Sequence, residues 1–420
     1  MLNSVDRTQS LGSTIALAIG ALGLASAPEV AQASAGVIEI NQTCAIQTGC
    51  LPGDTPGFPV VLDATVSASY RLTSNLIFTD INTDIITAFV ASEGNSIPIT
   101  VDLGGFDIVR QDCLTSSCTT LAGFGNGVSL GAQSTVRNGG VIGVGRTGVG
   151  VGIGGRVQNV SVARAGQTGI SAGSRSILES NTISSPGVSG IDAGEGVIIR
   201  SNTVLGSDGN GIEAGGNATI SGNIIRNSDE AGIEISVGHS RIADNNISES
   251  GGAGIVGGRH MTVVGNTVED SGSAGISVGE SGNILNNNVE DSGGTGILAT
   301  ESTIVSGNNV DSSGAGGISV GASGKVSNNV ISFSVSRGIL VGAGSTVAGN
   351  TVRGGASDGI AANAGSIVER NTVRGALGRG LALSADVGYR GNVLSSNSTG
   401  TVSGGVELGS NLCDGSTTCP

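Results

Sequence analysis

Residues Gly265 to Leu285 read GNTVEDSGSAGISVGESGNIL, and most of the chain consists of variants of that stretch. Its Gly275-Ile276 pair recurs from Gly127-Val128 through Gly148-Val149, Gly169-Ile170, Gly190-Ile191, Gly211-Ile212 and Gly232-Ile233. It continues at Gly254-Ile255, Gly296-Ile297, Gly317-Ile318, Gly338-Ile339, Gly359-Ile360 and Gly380-Leu381. Every step is 21 residues except one of 22, between Ile233 and Ile255. A second column keeps the same step: Asn181, Asn202, Asn223, Asn245, Asn266, Asn287, Asn308, Asn329, Asn350, Asn371 and Asn392. Inside each unit apolar residues alternate with small or polar ones, as in Ile276-Ser277-Val278, which is the period of a strand. The apolar positions are mostly β-branched, and glycine is far too frequent for helix interiors.

A 21-residue unit therefore holds two or three very short strands broken by turns. Such a unit cannot bury its own apolar face, so copies must stack, each pairing with the next at about 4.8 Å. Crossovers between parallel strands are expected to be right-handed. An inward-turned Asn at a bend can bond the Asn above and below, each bond adding roughly 0.5–1.5 kcal/mol. The Gly column marks either a bend needing positive φ or one too tight for a Cβ. The expected fold is all-β: a right-handed parallel β-helix of about 13 coils of 21 residues, with N- and C-terminal caps. A leucine-rich repeat would need Leu at several positions, nonapeptide calcium repeats an Asp every nine residues, and left-handed hexapeptide helices a six-residue submultiple. From about Gly123 to Ser410 the chain resembles the right-handed parallel β-helix repeat proteins of the pectate-lyase-like superfamily.

Residues 1–35 read as a secretory signal peptide. Arg7 supplies a weak positive region, Leu11 to Leu24 an uncharged apolar run, and Ala33-Ser34-Ala35 a small-x-small cleavage site, with Ala25-Ser26-Ala27 as an alternative. The run is short for a membrane span, and no later segment reaches that length. Residues 36–122 read as an N-terminal cap with irregular first coils, residues 123–391 as the repeats, and 392–420 as a C-terminal cap. Strands are expected at Val37-Ile38-Glu39-Ile40 and Ile97-Pro98-Ile99-Thr100-Val101. Phe58, Tyr70, Phe78, Phe89 and Phe106, with Phe124 at the border, are expected to plug the end of a narrow core. The six cysteines fall in three close pairs, Cys44/Cys50, Cys113/Cys118 and Cys413/Cys419. In an exported chain these read as three local disulfides; no histidine lies near any pair, so metal ligation is not expected.

The formal net charge of -14 becomes -13 when the leader, with Asp6, Arg7 and Glu29, is removed, and Lys325 is the single lysine. Without a basic stripe, neither nucleic acid nor an anionic membrane surface is an expected partner. Cation binding stays open, because three outward acidic columns interrupt the polar surface. They are Asp192, Glu213 and Glu234; Glu269, Glu290 and Asp311; and Glu249, Asp270 and Asp291. Like charges one coil apart repel by about 0.9 kcal/mol in water, and a bound Ca2+ would relieve that. The two histidines, His239 and His260, each lie six residues before a ladder Asn and so should stack in adjacent coils. The 22-residue step places a small bulge just before His239. With Glu234, Arg241 and Arg259 nearby, a base, an acid and a charge clamp could be assembled for proton abstraction from a uronic acid. Catalytic candidates are thus Glu234, His239 and His260; ligand-binding candidates are Asp192, Glu213, Arg241 and Arg259.

Relatives that the resemblance implies include pectate lyases, polygalacturonases, mannuronan epimerases and tail-spike depolymerases, which act on acidic polysaccharides. Their motifs are not carried here: Asn82-Thr83-Asp84 lies outside the repeats, Gly238-His239-Ser240 lacks a second glycine, and no DPHE string occurs. Coils 130 to 330 offer no aromatic platform for sugar. The leading expectation is an exported, secreted or periplasmic or cell-surface, non-catalytic module for surface, matrix or glycan interaction. The alternative is a polysaccharide lyase, epimerase or hydrolase. An ice-binding face would need a regular Thr ladder, whereas Thr182, Thr203, Ile224, Asn246 and Thr267 are mixed.

Overall fold

A computed structural model describes residues 36–63, 68–88, 97–115 and 118–419. The chain divides at Gly36, and the unit Val37–Pro420 is the one described below. Residues 1–35, read above as a signal peptide, and Phe89 lie outside the described residues. Each 21-residue unit makes one full coil, with three strands of three to five residues from Ile170 to Ser395 and with the last two fused into the eight-residue strands Thr135–Ile142 and Arg156–Ala163 in the two coils before Ile170; all pair in parallel with their counterparts one coil away. The strand after each Gly belongs to a 16-stranded sheet, in which Ile276 pairs with Ile297 and Ile297 with Ile318. The other two strands of each coil belong to a 31-stranded sheet folded at the Asn column. From Val128 to Leu381 the register stays in step because every repeat but one is 21 residues long.

The interior follows from alternation. Ile276, Ile284 and Val289, one from each strand of a coil, are 0% exposed, and each heads a stack of aliphatic residues that runs through the coils. Burying a side chain of this size stabilises by about 1.5–3 kcal/mol. At the fold between strands the ladder is continuous. The Nδ2 of Asn266 donates to Asn287 Oδ1 at 3.0 Å, and its main-chain N–H donates to the same oxygen at 2.9 Å. A further Nδ2 bond reaches back to Ile242 O at 3.1 Å. The ladder gains one rung beyond the sequence column: Asn392 donates to Asn411, 19 residues on.

The Gly column resolves in favour of space. Gly275 does not have positive φ; a Cβ there would overlap Val289 Cγ1 across the narrow interior and press on Ser292 Oγ. The left-handed positions form other columns. One immediately precedes the ladder Asn, as at Gly265, Asn286 and Gly307. Others lie six residues before it and four after it, and they hold Gly, Asn, Asp, Ser, both histidines, Arg175, Glu249 and Phe333.

Sixteen strands in the Gly-Ile sheet exceed the repeats visible in sequence, because Val60–Leu62 and Ile86–Ala88 precede Val128–Leu130, and Val402–Ser403 follows Leu381–Leu383. The first coils hide their period because the paired residues Ile86 and Val128 are 42 positions apart. Tyr70 and Phe78 are buried at this end, and Phe58 and Phe106 pack against the core. Phe124 departs from expectation: it is 79% exposed, outside the plug. All three disulfides form, Cys44–Cys50, Cys113–Cys118 and Cys413–Cys419.

Candidate functional site

The outward face of the Gly-Ile sheet carries the first acidic column. In Ile191–Ala193, Ile212–Ala214 and Ile233–Ile235 the flanking aliphatics point inward, so the middle residue must point out. Asp192 therefore pairs with Glu213, and Glu213 with Glu234, in direct register. The column begins after Ser171 and ends at Val256. The Asp192 side chain reaches solvent, yet the surrounding protein withdraws enough water to raise its carboxyl above the ordinary value. Glu213 is raised as well, first by burial and then by repulsion from Asp192, with Glu234 and Glu230 adding less; an Asn210 hydrogen bond opposes the shift.

Asn210 is the residue that sequence reasoning missed. It is 5% exposed, and its Nδ2 donates to Glu234 Oε2 at 2.8 Å while its Oδ1 accepts the Ala231 N–H at 3.0 Å. The signal for it is faint: an Asn immediately before the Gly of the repeat, found elsewhere only at Asn126-Gly127. It ties Glu234 toward the beginning of its strand.

The histidines sit beyond the other end of that strand. Their rings stack with centroids 4.7 Å apart and an interplanar angle of 24°. Both are exposed, in the left-handed turn column, at φ 68° for His239 and 57° for His260. The extra residue of the 22-residue step falls in the turn between Ile235 and Arg241, so strands on both sides keep register. Among the described residues, neither histidine makes a hydrogen bond or ion pair with Glu234. Arg241 lies exposed between Thr219 and Thr262, and Arg259 pairs with Glu280 at 3.8 Å on the surface. The structure thus groups Asp192, Glu213 and Glu234 in one column and His239 with His260 in another. Among the described residues, no hydrogen bond or ion pair links the two groups.

The remaining acidic columns lie on the folded sheet. Glu269, Glu290 and Asp311 are in register on strands, and Glu249, Asp270 and Asp291 occupy left-handed turns beside them. An open groove of about 450 Å³ runs along these turns, floored by Gly251, Gly272 and Gly293. Any Ca2+ held by acidic residues here would need six to eight oxygen ligands, more than one carboxylate per coil supplies alone.

The described residues contain no helix long and apolar enough to cross a membrane. No curated protein matches the chain in sequence. Solved structures resemble the chain at low identity and low TM-score. The mannuronan C-5 epimerase A-module of Azotobacter vinelandii is 14% identical, with TM-score 0.41, over 83% of this chain and 91% of that one. A mannuronic acid specific polysaccharide family 6 lyase from human gut microbiota is 12% identical, with TM-score 0.41, over 82% and 86%. A periplasmic alginate epimerase is 15% identical, with TM-score 0.35, over 88% and 81%. The family model described as right handed beta helix region matches residues 123–268 and 274–413, and the chain belongs to that family.

Proposed function

We propose that this chain is an exported, non-catalytic β-helix module that presents its repetitive faces to surface, matrix or glycan partners. The observation that carries the reading is that, among the described residues, no hydrogen bond or ion pair links Glu234 to either histidine. Asn210 ties Glu234 toward one end of its strand, and the stacked histidines occupy exposed turns past the other end. A general acid and base must lie within hydrogen-bond reach of one substrate position. Three intramolecular disulfides support an oxidising compartment, hence export.

The raised carboxyls of Asp192 and Glu213 favour the alternative, since a general acid toward a glycosidic oxygen is a carboxyl whose surroundings disfavour its charged form. On that reading the chain would be a lyase, epimerase or hydrolase of an acidic polysaccharide. The test is binding and turnover by the purified chain on a panel of acidic polysaccharides, with and without Ca2+. Binding without product is expected, unchanged by Glu213→Gln or His239→Ala. Product formation abolished by either substitution would establish the enzyme and overturn the module.

A further inference from the structure

Charge is distributed unevenly along the rod. Residues 192–311 hold sixteen carboxylates against four arginines, whereas residues 325–390 hold seven basic residues against three carboxylates. The contrast concentrates on one ridge, formed by the third, fourth and sixth residues after each ladder Asn. In the Asn266 and Asn287 coils the third residue is Glu269 and Glu290; in the Asn350 and Asn371 coils it is Arg353 and Arg374. Among the described residues neither arginine forms an ion pair, and both are exposed.

Bulk is distributed the same way. The fourth and sixth positions of the basic coils carry Phe333, Val335 and Leu377, which are 68%, 62% and 60% exposed. Phe333 is held at φ 53°, a conformation unfavourable for a bulky residue, with its ring lying over Gly354. In the acidic coils the sixth position is glycine, Gly272, Gly293 and Gly314, and the first two of these floor the open groove.

We infer that this ridge is the contact surface of an antiparallel homodimer with a two-fold axis crossing it between the Asn308 and Asn329 coils. A constant coil spacing makes every pair meet in register once one pair does. Arg374 then faces Glu269 of the second copy, and Arg353 faces Glu290. In the outer row Leu377 meets Gly272 and Val335 meets Gly314. The two Phe333 rings lie about one strand spacing apart beside the axis. The result is an apolar centre flanked by opposite charges, each half serving as the partner of the other. A single ridge is narrow, so the dimer is weak and its affinity falls with salt. This inference is independent of the reading above.

The test uses the whole chain in analytical ultracentrifugation, at protein concentrations up to about 1 mM, which captures dissociation constants near or below that value. A dimer is expected at low salt, weakened in about 0.5 M salt. Arg353→Glu with Arg374→Glu should raise the dissociation constant by on the order of a hundredfold, because the two-fold axis converts four attractions into repulsions. Glu269→Arg with Glu290→Arg should do the same. An equimolar mixture of the two charge-reversed variants should recover association, since every facing pair is again opposite in sign. Glu269→Cys with Arg374→Cys should form an intermolecular disulfide. A monomer at every concentration, failure of the mixture to associate while both variants keep the wild-type circular dichroism, or the absence of the cross-link would each overturn the antiparallel dimer.

Discussion

At the residue scale, two positions in each coil admit almost no substitution, for opposite reasons. Asn287 is needed for what it bonds: its Oδ1 accepts two donors from Asn266, and its Nδ2 donates to Val263 O and to Asn308 Oδ1. Asn287→Ala deletes these bonds, leaving the buried main-chain N–H of Asn266 without its acceptor and the Asn266 side-chain amide with only main-chain oxygens to donate to. A loss of roughly 3 kcal/mol is expected in chemical denaturation, against roughly 0.5 kcal/mol or less for the exposed Asn246→Ala. Gly275 is needed for what it lacks, and Gly275→Ala should cost roughly 2–3 kcal/mol by driving a Cβ into Val289. The Asn role is readable from a polar residue recurring in an apolar context. The choice between a left-handed glycine and a cramped one was not readable, because both leave the same letter at the same spacing. A third column escaped notice altogether. Ser207, Ser228, Ser250, Ser271, Ser292, Ser313 and Ser334 are buried with no hydrogen-bond partner for their hydroxyls. Ser271→Ala should therefore stabilise by about 1 kcal/mol; a measured loss of stability would show that the hydroxyl is satisfied in solution.

At the scale of the strand, direct register turns a repeated letter into a column of interacting side chains. Opposite signs make it cohesive. Glu179 accepts from Arg200 Nε at 2.7 Å and also meets Gln158 and Arg156, and this holds its carboxyl below the ordinary range, the Arg200 hydrogen bond contributing most. A lowered folded-state pKa means that this stabilisation is present above the unfolded-state pKa and disappears as pH falls through the folded one. Burial does the reverse, and at Glu213 the neighbouring Asp192 carboxylate adds to it. Asp192 and Glu213 are raised, so their contribution is fully present below the unfolded carboxylate pKa and is lost as pH rises through the raised value. Glu213→Gln should accordingly stabilise at neutral pH, and the gain should vanish below the ordinary carboxylate range. Denaturant midpoints across pH check this; an equal gain at both ends would refute it. The stacking of His239 on His260 was legible from their 21-residue spacing, whereas the tie between Asn210 and Glu234 spans 24 residues and follows from where a strand begins, not from the period.

At the scale of the molecule, stability is a sum over coils and the contacts between neighbours, with no long-range core. Protection against hydrogen exchange should rise from the terminal coils toward the middle ones. Removing the Cys44–Cys50 bridge, which closes a loop of six residues, should cost about 2 kcal/mol. Faster exchange should then be confined to the first coils, around Ile38–Leu72. Equal loss of protection around Asn287 would mean that the rod unfolds as one block, contrary to the additive picture.

The sequence alone determined the solenoid, its pitch, the inward aliphatic stacks, the Asn ladder and the local pairing of the cysteines. These depend on a period, and a period is a one-dimensional property that stacking carries unchanged into three dimensions. Only the tertiary structure decided that the first coils extend back to Ile38 across irregular insertions, and that the Gly column is cramped. The same holds for the tie between Asn210 and Glu234. Those outcomes depend on which end of a strand a side chain faces and on what lies across a narrow interior, and neither relation is encoded in a letter and its spacing.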